Sequence, residues 1–123
     1  MTCPNCQCGH GKADKPHGAA HWMAERLTAI ALIPLCLWAI WSAVTLAGVS
    51  YAGFSAWLAV PMNAGLLAAL VVIGFWHGVM GLQVVIEDYV ATVKTRNALI
   101  CLMKLVFAAL ALVCLYSIYT IAL

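Results

Sequence analysis

From residue 27 onward the apolar positions fall into three long runs, at about residues 27–49, 63–86 and 98–123. Each is long enough as a helix to cross a hydrocarbon core, which takes about 20 residues. Between residues 27 and 86 there is no Lys, Arg, Asp or Glu. The pattern predicts three transmembrane helices. Pro34 is expected to kink the first without ending it, because neighbouring helices can satisfy the freed carbonyl. Residues 50–61, with Ser50, Gly53, Ser55 and Pro61, read as a connection. Its Tyr51, Phe54 and Trp57 are expected to be anchors at the membrane boundary rather than core residues. Short links imply antiparallel neighbours, and the chain has no internal repeat.

Composition agrees with an all-α membrane protein. The 123 residues are 66% hydrophobic and 8% charged, with a mean hydropathy of +1.02. A soluble domain of this length could not bury that fraction. The length allows one compact bundle and no separate catalytic domain. A net charge of +2 without a basic patch gives no basis for nucleic-acid binding. There is no phosphate-binding glycine loop, no nucleophile elbow and no carboxylate pair placed for acid–base work.

The first run, 23 residues long, exceeds the roughly 7–15 residues of a secretory h-region, so it is expected to be a retained span. Lys12, Lys15 and Arg26 precede it, and Lys94 and Arg96 lie between the second and third runs. The 50–63 connection carries no basic residue. The positive-inside rule therefore puts the N-terminus and the 87–97 loop on the cytoplasmic (or matrix) side. Lys104, only a couple of turns into the third run, is expected to snorkel back to that side.

Candidate chemistry centres on His77, the only histidine within the three runs, and on Asp88 and Tyr89 eleven and twelve residues beyond it. A histidine in hydrocarbon is costly, and cofactor ligation is one reason to keep it there. Eleven helical residues separate His77 from Asp88 by about 16 Å, close to half of a ~30 Å hydrocarbon core. His77, Met80, Gly81, Val84 and Asp88 share a helix face, and Gly74, Gly78 and Gly81 thin the same stretch. Such a surface accepts either another helix or a flat macrocycle. Two readings therefore stand together: a helix–helix contact with His77 hydrogen-bonded across it, or an axial ligand to heme iron. One histidine cannot supply two axial ligands, and Met80 on the same helix cannot reach the opposite face of the iron. The second ligand would come from a partner chain. Asp88 could equally pair with Lys94 or Arg96, and Tyr89 could be a boundary anchor.

The segment HGVMGLQVVIEDYV, residues 77–90, resembles the second transmembrane helix of the D-type subunit of the succinate dehydrogenase cytochrome b membrane anchor. The family pattern is a histidine, a glycine four residues on, and Asp-Tyr eleven and twelve residues on. The segment HWMAERLTAIALIPL, residues 21–35, is similar to the start of the first helix in the same family, in particular its alphaproteobacterial form. The resemblance covers about residues 18–123. It implies a three-helix anchor with its N-terminus inside, forming half of a heterodimeric bundle. His77 would ligate heme b, with the second axial ligand from the other cytochrome b anchor chain of the pair. Tyr89 would hydrogen-bond ubiquinone, Asp88 would support that site, and Arg26 would lie near the quinone and the heme propionates. Flavoprotein and iron–sulfur subunits would dock on the cytoplasmic face, with succinate oxidised on the flavoprotein and electrons delivered to the respiratory chain. The anchor itself would carry out no catalysis. A bacterial inner membrane is expected ahead of a mitochondrial one.

Residues 1–17 fall outside the resemblance. Cys3, Cys6, Cys8 and His10 have the donor types of a Cys₃His zinc or copper(I) site, although such sites usually combine two separate short clusters. The tail is either a disordered leader or a metal-binding segment, and a reducing compartment argues against disulfides. A competing function follows, that of a membrane protein passing on metal ions through this tail. Cys36, Cys101 and Cys114 within the runs read as small apolar packing residues.

Overall fold

The computed structural model describes residues 10–123, with side chains from residue 19 onward. Cys3, Cys6 and Cys8, and the side chain of His10, lie outside the described residues. The chain forms four helices: α1 (His10–Thr45), α2 (Tyr51–Leu58), α3 (Pro61–Tyr89) and α4 (Val93–Ala122). Three stretches are long and apolar enough to cross a membrane: Ala19–Thr45 of α1, Pro61–Tyr89 and Val93–Ala122. The three expected spans are present, and their limits shift for local reasons.

Helix α1 runs unbroken through Pro34 and stops at Thr45, four residues before the expected end. Gly48 follows at φ +82°, a left-handed conformation that costs glycine little and turns the chain out of the helix. The expected plain connection is itself largely helical. Ser50 caps α2 by accepting a hydrogen bond from the Gly53 N–H at 3.3 Å. The Asn63 amide donates to the Trp57 carbonyl at 2.9 Å and closes the other end. Pro61 then opens α3 at a position where a missing N–H costs nothing. Trp57 is also held by packing within the chain. It is half-buried and stacks on Trp38 of α1, with ring centroids 5.9 Å apart, and on Phe54 at 6.1 Å. Next to it Leu58 is the most enclosed side chain, 1% exposed. Helix α2 thus folds back over one end of the bundle.

Helix α3 is the middle layer. It packs against α1 on one flank and α4 on the other, and α1 and α4 do not pack on each other. Its glycines serve different neighbours. A Cβ on Gly74 would meet Leu32 of α1 at 4.0 Å, and one on Gly78 would meet Phe107 of α4 at 3.4 Å. Phe107 also meets Phe75 edge-on, centroids 5.6 Å apart, an arrangement aromatic quadrupoles favour. Gly81 alone of the three has nothing within 4 Å. The outer faces of α1 (Ile33, Leu37, Ile40, Trp41) and α4 (Leu105, Leu112, Val113, Tyr116) are exposed, as suits lipid or further helices.

Gly78 holds α3 against the Phe107 ring, so a branched side chain there must push the helices apart. Overpacking of this kind costs about 1–3 kcal/mol. Gly78→Ile is expected to lower the thermal midpoint of the detergent-solubilised protein, with Gly81→Ala close to wild type. Equal midpoints for Gly78→Ile and wild type would contradict the packing.

Candidate functional site

His77 and the Asp88–Tyr89 pair lie on one uninterrupted helix, since α3 runs from Pro61 to Tyr89. The sequence-based spacing therefore holds in the structure: about 16 Å along the axis from His77 to Asp88. His77 is half-buried and turned toward α1. Its Nδ1 lies 2.9 Å from the Thr28 hydroxyl. That hydroxyl also lies 2.8 Å from the Ala24 carbonyl oxygen and 3.0 Å from that of Glu25. It has one proton to donate. Given to a carbonyl of its own helix, as threonines in helices commonly do, that proton leaves the oxygen to accept from Nδ1–H. The imidazole is then the Nδ1–H tautomer, and Nε2 keeps its lone pair.

Thr28 is not among the residues that sequence alone singles out. Its one signal is a hydroxyl within an apolar helix, and Ser42 and Thr45 give the same signal without meeting a histidine. What distinguishes it is helix register. The Thr28–His77 and Leu32–Gly74 approaches, one turn apart, set the antiparallel alignment of α1 and α3.

The same register locates the remaining candidates. Arg26 lies level with about residue 79 on α3, hence near the depth of His77 and about 13 Å from that of Asp88. Two residues before Thr28, it is on the opposite side of α1, exposed, with its guanidinium 5.3 Å from the Trp22 ring centroid. The structure therefore brings Thr28 to His77 and does not bring Arg26 to the Asp88–Tyr89 pair. Tyr89 is 85% exposed and Asp88 is also exposed. Neither makes a side-chain hydrogen bond to another described residue. Glu87 beside them accepts from the Gln83 amide at 2.9 Å.

The first apolar helix begins at Ala19 and so includes a second histidine, His21, which the expected span leaves outside. Register places it level with about residue 84, roughly 10 Å from the level of His77. It cannot face His77 across one metal ion. Its Nε2 is buried without a partner among the described residues. His21 borders a cavity of about 550 Å³ between α1, α3 and α4, with Trp76, Val79, Met80, Lys104 and Phe107. His77 does not line that cavity. Lys104 remains exposed at its edge. Among the described residues no three His, Cys, Asp or Glu side chains converge on a metal site. On the same face, one turn from His77, Gly81 has no atom of the described residues within 4 Å of where a Cβ would stand.

The profile of the succinate dehydrogenase/fumarate reductase transmembrane subunit family matches residues 7–115. The succinate dehydrogenase hydrophobic membrane anchor subunit of Rickettsia bellii is 40% identical over 98 residues, which are 78% of this chain and 76% of that one. The corresponding subunit of Rickettsia conorii is 36% identical over 72% of this chain and 71% of its own length. That of Rickettsia felis is 35% identical over 74% and 76%. No solved structure gives a significant match. With a family profile spanning most of the chain and relatives covering over two thirds of it, this three-span protein belongs to the succinate dehydrogenase/fumarate reductase transmembrane subunit family, as a succinate dehydrogenase membrane anchor.

Proposed function

We propose that this anchor holds heme b through His77 and contributes Tyr89 to the site where ubiquinone is reduced. The observation that carries the reading is the His77–Thr28 contact. An imidazole near the middle of a span has one nitrogen engaged by Thr28, while the other has no hydrogen-bond partner among the described residues. Any neutral imidazole keeps one lone pair, and here the Thr28 contact takes up Nδ1, which leaves Nε2 as the nitrogen available to a ligand. Nitrogen donors of this kind suit heme iron, so the residues present fit the group. Heme bound there supplies a one-electron carrier inside the membrane. A second ligand to the iron would be supplied by the other cytochrome b anchor chain, since His21 is out of reach and Met80 is on the same helix as His77. Arg26, on the far side of α1 from His77, keeps its assignment to the quinone and heme-propionate vicinity from the family resemblance alone.

Tyr89 ends α3 at the end of the bundle that also carries Lys94 and Arg96. The positive-inside rule makes this the cytoplasmic end of a bacterial inner membrane. There the phenol Oη donates to a quinone carbonyl, Asp88 supports the same site, and the apolar helix faces take up the isoprenoid tail. The flavoprotein and iron–sulfur subunits dock over this end. Succinate is oxidised on the flavoprotein, and electrons reach the quinone through the iron–sulfur clusters.

A dithionite-reduced minus oxidised spectrum of the complex purified from native membranes is expected to show a b-type band that His77→Ala removes. A band of undiminished size in the variant would refute ligation by His77. Tyr89→Phe removes one hydrogen bond, worth ~0.5–1.5 kcal/mol and so up to about tenfold in rate. Quinone reduction should fall by that factor while succinate oxidation with an artificial acceptor stays at wild-type level. Equal loss of both activities would count against a quinone role for the phenol.

A further inference from the structure

We infer that Thr28 is the positioning residue of the heme ligand: its hydroxyl fixes the tautomer and ring rotation of His77 and lowers the reduction potential of the iron. The inference rests on the reading of His77 as an axial ligand and adds a residue outside the His-x₃-Gly…Asp-Tyr pattern. The geometry is specific. Thr28 Oγ1 meets Nδ1 at 2.9 Å while lying 2.8 Å and 3.0 Å from two carbonyl oxygens of its own helix. Those carbonyls claim the hydroxyl proton, so the oxygen serves the imidazole as an acceptor. Nδ1–H is held, Nε2 is presented, and rotation about the Cβ–ring bond would break the contact. A metal-bound histidine commonly donates its second N–H in this way, and the partner raises the ligand's basicity. Here the usual carboxylate or carbonyl is replaced by a neutral hydroxyl, already polarised by donating to the backbone.

A more basic imidazole favours the ferric over the ferrous ion, so removing the acceptor must raise the midpoint potential. Partners of metal-bound histidines are worth ~10–100-fold in metal affinity or activity. A tenfold change in the ferric-to-ferrous preference is about 59 mV for a one-electron couple. Thr28→Val keeps the shape and removes the acceptor; Thr28→Ser keeps the acceptor and removes the methyl. Redox titration of the heme band in the purified complex, with the low-spin ferric EPR signal, is the test. The expected result in Thr28→Val is a positive midpoint shift equivalent to about a tenfold change in that preference, with changed EPR g-values. Thr28→Ser should stay near wild type. Should Thr28→Val fail to assemble, Thr28→Ala against Thr28→Ser makes the same comparison. If the hydroxyl-free variants titrate like wild type, or if Ser shifts as far as Val or Ala, the hydrogen bond does not tune the iron and the inference falls. Absence of a His77-dependent heme band in the wild-type complex would instead remove the reading beneath it.

Discussion

An imidazole inside a hydrocarbon layer has two polar nitrogens and no water to satisfy them. Each unpartnered polar group costs up to several kcal/mol there. The chain answers for one of the two with Thr28, a residue that belongs to a different helix and is itself anchored to its own backbone. For this bond to form, α1 and α3 must be antiparallel and in one register. Leu32 against Gly74, one turn away, meets the same requirement. The hydrogen bond, the glycine contact and the alignment of the two helices are therefore one constraint seen at three places.

The rest of the architecture follows from making α3 the middle of the bundle. Its small residues admit α1 at Gly74 and α4 at Gly78, and the Phe75–Phe107 edge contact fixes the second flank. Helices α1 and α4 each pack on α3 and face each other across the cavity that His21 and Phe107 border. Only Leu58, Met80, Met103 and Ser42 are buried among the described residues. A chain that encloses so little of itself in isolation has the form of an anchor, whose apolar faces are completed by lipid and by other membrane helices.

Much of this is legible in the sequence because hydrocarbon length and the absence of charge are properties of runs. Three spans, passage through Pro34 and a His77-to-Asp88 rise on one helix need nothing else. The pattern of residues 77–90 is specific enough to indicate the family. What sequence leaves open is relational. Thr28 is one hydroxyl among several in α1, and only the α1–α3 register pairs it with His77. That register depends on how many residues α2 and its turns consume, and α2 reads in sequence as a plain connection. The three glycines look alike along the chain, yet each meets a different neighbour or none. Arg26, expected in the vicinity of the quinone and the heme propionates, lies about 13 Å along the bundle axis from the level of Asp88.

Whether His77 Nε2 touches the iron decides between a ligand and a packing residue. The most direct measurement is the low-temperature EPR and visible spectrum of the ferric complex carrying His77→Tyr, because phenolate is itself a heme ligand with a different field strength. Ligation by His77 predicts that the low-spin signal of wild type gives way to a high-spin, tyrosinate-type signature, or that heme is lost. A ferric spectrum unchanged from wild type would mean that the iron is held by other residues and that His77 only packs α3 against α1.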